Sequence, residues 1–489
     1  MNDISQITLT TSQQRVLDKM VDFLESQDKV FILKGYAGTG KTTMMRFLVQ
    51  QLQKRNLGYH LLASTGRAAA VLNSHNDDCA QTIHSLIYRY QDFNQDISKV
   101  EAGQSVNGQL YLVFAPCRAE ADSKNQVYIV DEASMIVDTE VRNITQAAFG
   151  TGRLLKELLE YDNDPGCKFV FVGDPCQLPP VSQVFSPALS SQYIRSTFEC
   201  GVQEASLTEI IRQTGGNSII SASQRVRQLY ASAPDSEIYY AGGKFWGRLP
   251  INNSANIHLH SNDDDLIRQY ILAIKEHGFD YATFITRANS KCYQLSMEIR
   301  QRMGFTGIVK PGDLLLVAQN NGPTGLVNGD FVVVESVESE TKSRAGLQFR
   351  AIRVRQLHSK ESQNTLLLED VLYGGRQNLD GEQQKGLFVD FILRMRKQGI
   401  HPKRNSELFN QTMLKDPYIN ALRCSFGYAV TCHKSQGGEW PEVFINMPRN
   451  IMFNPTKSSY QWVYTAMTRA KEHLHIVDDI YLESYRKYR

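Results

Sequence analysis

Long apolar runs are the first thing missing from this chain. None of its 489 residues lies in an uninterrupted apolar stretch of about 18, the length a membrane-spanning helix needs. The opening residues, MNDISQITLTTSQQRV, lack a basic cluster followed by an apolar core. No secretory leader is therefore expected, and a cytoplasmic location is. Metal-type cysteine spacing is also missing. Cys79, Cys117, Cys167, Cys176, Cys200, Cys292, Cys424 and Cys432 include no C-x-x-C pair. A zinc site or a thioredoxin-like centre is not expected, and the thiols read as reduced and mostly buried. The chain has no internal repeat, no low-complexity tract and no marked excess of one charge, its net value being +2.

What is present is ordinary globular material, 42% hydrophobic and 21% charged. The length is too great for one core, and at ~100–200 residues per domain it predicts about three units. Charge is unevenly spread. Residues 341–489 hold 23 Lys and Arg against 14 Asp and Glu, a surplus of 9, which leaves the first 340 with a deficit of 7. A basic C-terminal third suits a polyanionic partner, although ordinary surface variation accounts for it equally well.

The apolar run Val30-Phe31-Ile32-Leu33 reads as a buried strand. It leads into Gly35-Tyr36-Ala37-Gly38-Thr39-Gly40-Lys41-Thr42, and an amphipathic stretch from Thr43 to Leu52 follows. Strand, glycine loop and helix in this order form the context of a P-loop. Glycines let successive N–H groups turn inward around phosphates, and the helix N-terminus adds partial positive charge. The expected nucleotide contacts are Gly38, Thr39, Gly40, Lys41, Thr42 and Thr43. Lys41 should meet the β- and γ-phosphates of ATP, and Thr42 should ligate Mg²⁺.

A second apolar run, Val127 to Val130, ends in Asp131-Glu132. Asp131 is the expected Mg²⁺ carboxylate and Glu132 the base that polarises the attacking water. A third run, Lys168 to Val172, leads into Gly173-Asp174-Pro175-Cys176-Gln177. A strand ending in a rigid turn can hold Gln177 at the γ-phosphate, although a plain tight turn is the simpler alternative. Hydrolysis spreads negative charge over the γ-phosphoryl oxygens, so an arginine from another surface would stabilise it. Arg212 and Arg469 are the candidates. A surface salt bridge is the alternative for either.

At this point the ordered motifs resemble the superfamily 1 helicases of the RecD and Dda type. Gln13 in Leu9-Thr-Thr-Ser-Gln13 is similar to their adenine-reading glutamine. Ala63–Ala69, with Thr65, and Gln81–Ser85, with Thr82 and His84, resemble strand-contacting motifs. Asp131-Glu-Ala-Ser-Met135 resembles the Walker B form of this branch. Thr431–Glu439 resembles motif V, which implies strand contacts from Thr431 and His433 and nucleotide contacts from Gly437 and Glu439. Tyr464-Thr-Ala-Met-Thr-Arg469 resembles motif VI.

The resemblance implies an α/β fold with two RecA-like P-loop motor domains, a small inserted hairpin subdomain and an inserted SH3-like β-barrel. The first motor domain is expected over 1–86 and 127–195, with the hairpin over 87–126 and its turn at Asn107-Gly108. The second is expected over 196–305 and 419–489, with the barrel over 306–418. The implied activity is ATP-dependent movement on single-stranded DNA, 5′→3′ by resemblance, and duplex unwinding at single-strand/double-strand junctions. The alternatives are a remodelling or loading ATPase that does not unwind, and an RNA helicase. ATP and Mg²⁺ are the expected cofactors. A monomer is expected, and a single-strand-binding, replication or repair protein is a conceivable partner.

Overall fold

The structure, a computed structural model, describes residues 8–75, 80–101, 108–120, 124–141, 144, 147–181, 183–209, 217–235, 246–401 and 406–484. Its strands are β1 (Val30–Gly35), β2 (Tyr59–Ala63), β3 (Gln81–Thr82), β4 (Tyr88–Phe93), β5 (Leu112–Pro116), β6 (Val127–Asp131), β7 (Ala147–Phe149), β8 (Lys168–Gly173), β9 (Val202–Leu207), β10 (Ile257–His260), β11 (Ala282–Thr286), β12 (Leu314–Val317), β13 (Phe331–Arg344), β14 (Leu347–Gln356), β15 (Ser362–Leu368), β16 (Cys424–Phe426), β17 (Val430–Thr431), β18 (Trp440–Ile445) and β19 (Ala470–Val477).

Two all-parallel sheets dominate. The first has the order β3-β2-β6-β8-β1-β9 and the second β10-β19-β18-β11-β17. Strands β1 and β8 read as continuous apolar runs because both faces of the first sheet are covered. Phe31 and Leu33 belong to one core with the helices Thr11–Glu25 and Lys41–Lys54. Val30 and Ile32 belong to another with Leu154, Leu155 and Ile194.

Strand β9 pairs with β1 in register from Val30↔Val202 to Gly35↔Leu207. The first sheet thus runs to Leu207, past the expected limit at residue 195. The cause is packing: Ala205 and Leu207 enter the core beneath the helix Thr11–Glu25.

An antiparallel sheet, β15-β14-β13-β12-β16, lies within the C-terminal part. Its edge strand β16 comes from beyond the expected limit at residue 418, because Cys424 and Phe426 pair with Val317 and Leu315. This sheet shares one core with the second parallel sheet. A buried bidentate pair pins it there, with Arg300 Nε 2.8 Å from Asp313 Oδ1 and Nη2 2.9 Å from Oδ2. The Tyr428 hydroxyl donates to the same carboxylate at 2.9 Å.

Strands β4 and β5 pair antiparallel, from Tyr88↔Pro116 to Phe93↔Leu112, and β7 joins β5 in parallel. The connection carries the short helix Ser98–Glu101 and is no two-residue hairpin. Gly108 has φ +81°, while Asn107 lies outside the described residues. Phe93, Ile97 and Leu110 pack on Phe388, Phe391 and Ile392 of the helix Gly381–Lys397. The described cysteines are free thiols, with Cys167, Cys176, Cys424 and Cys432 buried; Cys79 lies outside the described residues. No described helix is long and apolar enough to cross a membrane.

Candidate active site and nucleic-acid cavity

The glycine loop leaves β1 and enters the helix Lys41–Lys54 through Gly40, whose φ is +87°; Gly38 has φ +77°. Both backbones occupy the left-handed region that glycine enters without steric cost. No side chain caps this helix. Its first N–H groups, on Lys41, Thr42 and Thr43, therefore stay available to an anion. The Lys41 ammonium donates to the Tyr36 carbonyl at 3.2 Å, and the Thr39 hydroxyl donates to the same carbonyl at 2.8 Å.

Gln13 is held beside the loop by a capping box. The Thr10 hydroxyl accepts the Gln13 N–H, and Gln13 Oε1 accepts the Thr10 N–H at 3.1 Å. That leaves the amide nitrogen to reach the Thr39 carbonyl at 3.5 Å. Local capping thus places a long polar side chain, only 4% exposed, against the glycine loop.

Asp131 ends β6. Burial pushes its carboxyl well above the usual carboxylate range, the neighbouring Glu132 adds to the shift, and Lys41 opposes it. Glu132 has φ +49°, and its buried Oε2 has no hydrogen-bond partner. A pair of half-buried carboxylates, one oxygen of which has no partner, near an ammonium suits a cation. Among the described residues no His, Cys, Asp or Glu side chains converge in a metal nest of three or more. Magnesium arriving on nucleotide phosphates needs only one or two protein oxygens, and Thr42 and Asp131 fit that role.

The second half of the chain closes over this site. Its helix Lys457–Met467 carries polar groups on a buried face. The Tyr464 hydroxyl accepts the Ala37 N–H of the glycine loop at 3.2 Å and donates to Asp174 Oδ2 at 2.8 Å. Thr465 Oγ1 accepts the Leu178 N–H at 2.9 Å. The Gln461 and Gln436 amides donate to the Gln177 and Leu178 carbonyls, each at 3.1 Å. Gln177 is 2% exposed, and its Oε1 is buried without a partner.

Arg469 is 4% exposed and bonded to its own half. Its Nε donates to the Thr465 carbonyl at 3.1 Å, and Nη1 donates to the Gly438 carbonyl at 3.2 Å. Arg212 lies outside the described residues. Arg227, which sequence reasoning did not single out, sits 3.6 Å from the centroid of the Tyr36 ring in the glycine loop. Gly437 packs on Ala68, so that an added Cβ would meet the Ala68 Cβ at 3.2 Å. Glu439 is exposed, 3.8 Å from Lys471 Nζ.

A cavity of about 1120 Å³ opens between the halves. Thr65, Thr82 and His84 line it from the first half and His433 and Lys434 from the second; Phe114, Phe149, Gln319 and Asn320 complete much of the wall. Phe114 and Phe149 stack with centroids 4.7 Å apart, and His84 meets Phe149 edge-on at 5.3 Å. Burial lowers the pKa of His84, partly offset by Glu157. Burial and then Arg287 lower that of His433.

Thr431 is not in this wall. Its hydroxyl caps the short helix Cys432–Ser435 by accepting the Lys434 N–H at 3.3 Å, and the residue lines a separate small pocket. Thr65 and Thr82 make the same kind of cap, accepting the Ala68 and Ser85 N–H groups at 3.2 Å each, and still line the large cavity, so position and not the cap sets Thr431 apart.

The motifs quoted from the sequence contain Tyr464, Thr465 and Gln436 without assigning them a role, and they leave out Gln461. A usable signal was there: polar side chains at 461, 464, 465 and 468 share one stretch with Trp462, Val463, Ala466 and Met467. Buried polar groups at helical spacing call for partners elsewhere.

A glycine loop after one central strand, an acidic pair after another and a seam closed by a second parallel sheet give the chain the architecture of a two-lobed α/β protein with a P-loop-type turn. Residues 8–235 match the family model described as an AAA domain, and residues 426–477 match that of the UvrD-like helicase C-terminal domain. The ATP-dependent RecD2 DNA helicase of Deinococcus radiodurans is 24% identical over 477 residues, covering 95% of this chain and 48% of its own length. The uncharacterized protein MJ1519 of Methanocaldococcus jannaschii is 24% identical over 511 residues, covering 94% of this chain and 37% of its own. The chain thus spans less than half of either relative. A crystal structure of Pif1 helicase from Bacteroides, in complex with ADP-AlF3 and ssDNA, superposes with TM-score 0.49 at 16% identity, covering 98% of this chain and 94% of that one.

Proposed function

We propose that the chain is an ATP-driven motor that moves along single-stranded DNA and separates duplex ahead of it. One observation carries this reading. The seam that seats the Tyr464 hydroxyl on the glycine loop continues into a cavity lined by Thr65, Thr82, His84 and His433 from both halves. A change at the nucleotide must therefore move the walls of that cavity. Lobes that open and close around a strand with each ATP provide a physical basis for stepping.

In this reading Gln13 reads the base and the Gly38–Thr43 loop holds the phosphates. Lys41 neutralises the β- and γ-phosphates, and Thr42 with Asp131 would hold Mg²⁺, which supplies charge neutralisation there. Glu132 takes a proton from the attacking water, and Gln177 senses the γ-phosphate. Arg469 and Arg212 meet the charge that grows in the transition state. Gly437 and Glu439 would join this set only after the seam closes.

The first motor domain comprises β1–β3, β6, β8 and β9, and the second β10, β11 and β17–β19. The antiparallel sheet β12–β16 is assigned as the SH3-like module. The β4–β5 pair is assigned as the pin that blocks the second strand, with Phe114 and Phe149 as the aromatic surface that meets the last base pair.

The test is ATP turnover with and without single-stranded DNA, run beside unwinding of 5′-tailed and 3′-tailed duplexes. Strong stimulation with unwinding of the 5′-tailed substrate is expected. Stimulation without unwinding of either substrate would indicate a remodelling ATPase, and preferential stimulation by RNA an RNA motor.

A further inference from the structure

The start of the helix Gly66–His75 is wedged between two loops of the other half. A Cβ on Gly66 would lie 2.5 Å from Val327 Cγ2, and one on Gly438 would lie 2.7 Å from Arg67 Cζ. The Arg67 guanidinium thus fills space that only a glycine at 438 leaves open. Its Cζ is 4.3 Å from the centroid of the Trp440 ring and 5.2 Å from that of Phe331. The residue is 4% exposed, and its Nε and Nη1 are buried with no hydrogen-bond partner.

Such a cation is costly to bury. Asp330 acts on it electrostatically, but Asp330 Oδ2 already accepts the Val327 N–H at 2.8 Å and the Gln356 amide at 2.9 Å. Burial brings the Arg67 guanidinium down to about 10, and Arg469 pushes in the same direction. Arg67 nevertheless lines the large cavity, beside Thr65, Thr82 and His84.

The segment it covers is also the one Arg469 holds. Arg469 Nη1 donates to the Gly438 carbonyl at 3.2 Å, and the Trp440 N–H donates to the Arg469 carbonyl at 3.0 Å. Two buried arginines, one from each half, meet on Gly438–Trp440.

We propose that Arg67 is a positioning residue that couples the strand cavity to Arg469. It rests against Gly438 and Trp440, and a backbone phosphate entering the cavity draws it away. That removes one cation from beside Arg469 and loosens the segment whose carbonyl retains Arg469, so the latter can turn to the nucleotide. The phosphodiester is the fitting ligand because a guanidinium with free N–H groups pairs with phosphate oxygens bidentately. This rests on reading the chain as a DNA-stimulated motor.

The experiment measures ATP turnover of the parent, Arg67→Ala and Gly438→Ala, each without DNA and at saturating oligo-dT. The second variant displaces the guanidinium while retaining it, and it decides the matter if the first does not fold. Both variants should turn over ATP faster than the parent without DNA. Their stimulation ratio should fall at least about fivefold, the lower end of ordinary coupling between sites. A purely structural Arg67 would lower both rates in parallel and leave the ratio unchanged, which overturns the proposal. A parent whose turnover ignores single-stranded DNA overturns the motor reading and the coupling with it. Stimulation of the parent with an unchanged ratio in the variants overturns the coupling alone.

Discussion

The Tyr464 hydroxyl and the Asp174 carboxylate, 290 residues apart in sequence, meet at 2.8 Å, and the same hydroxyl accepts the Ala37 N–H of the glycine loop. Asp174 is fully buried. Its other oxygen accepts the Cys176 N–H at 2.9 Å, so Tyr464 supplies the donor for Oδ2. Tyr464→Phe leaves that oxygen and the Ala37 N–H unpaired inside the seam. The nucleotide-free protein should lose about 1–3 kcal/mol of stability, the usual cost of an orphaned buried polar group. Chemical denaturation reads this directly, and an unchanged midpoint would show that the bridge contributes nothing.

Glu132→Gln keeps the shape of the side chain and removes the base. Nucleotide binding should persist while hydrolysis falls by ~10²-fold or more, the usual scale of general-base effects. Lys41→Ala should abolish hydrolysis by removing the cation from the phosphates. Equilibrium binding of a fluorescent nucleotide, alongside turnover, separates the two outcomes. Parent-like turnover in the glutamine variant would take Glu132 out of this role.

Arg469→Ala should lower turnover with DNA by on the order of 10³-fold, the scale of an arginine that meets transferring phosphoryl charge, with nucleotide affinity little changed. The buried guanidinium now sits on the Thr465 and Gly438 carbonyls, so the variant should also lose some thermal stability. Normal turnover with DNA would make those carbonyls its whole purpose. Arg212→Ala should fail in the same catalytic manner.

Asp131 links pH to stability. Burial, then Glu132, raises its folded pKa above that of the unfolded chain. The folded protein therefore binds the proton more tightly, and unfolding releases it. This contribution to stability is present below the unfolded carboxylate value and is lost as pH rises through the raised folded value. Asp131→Asn escapes the loss. Its melting temperature should exceed that of the parent by a margin that widens as pH rises from mildly acidic to neutral, while Mg²⁺-dependent turnover disappears. A margin independent of pH would contradict the assignment.

Arg300 and Asp313 are 1% and 0% exposed at their side chains and pair through two short bonds. Removing one partner from such a pair leaves a buried charge uncompensated. Arg300→Ala should cost about 3–5 kcal/mol. Denaturant unfolding should show the loss. A change below about 1 kcal/mol would mean that water reaches Asp313 and screens it as it does surface pairs.

The sequence by itself determined the geometry that is local. A strand, a glycine turn and a helix start are contiguous, so Gly38, Gly40 and Lys41 could be placed from residues 30–52 alone. Asp131-Glu132 and the 174–178 turn follow apolar runs in the same way. The capping box that holds Gln13 spans four neighbouring residues, Thr10 to Gln13.

Tertiary structure decided whatever depends on burial between distant segments. Buried parallel strands carry no alternation that names their neighbours, so only packing could assign β9 to the first sheet, and only pairing with β12 could take β16 into the antiparallel one. Thr65, Thr82 and Thr431 each accept an N–H three residues on, and only packing puts the first two on the large cavity and Thr431 on a separate small pocket. Arg67 and Trp440 lie far apart in the chain. Nothing local to either announces that one will stack on the other, because the space between them exists only when the two halves close around a glycine at 438.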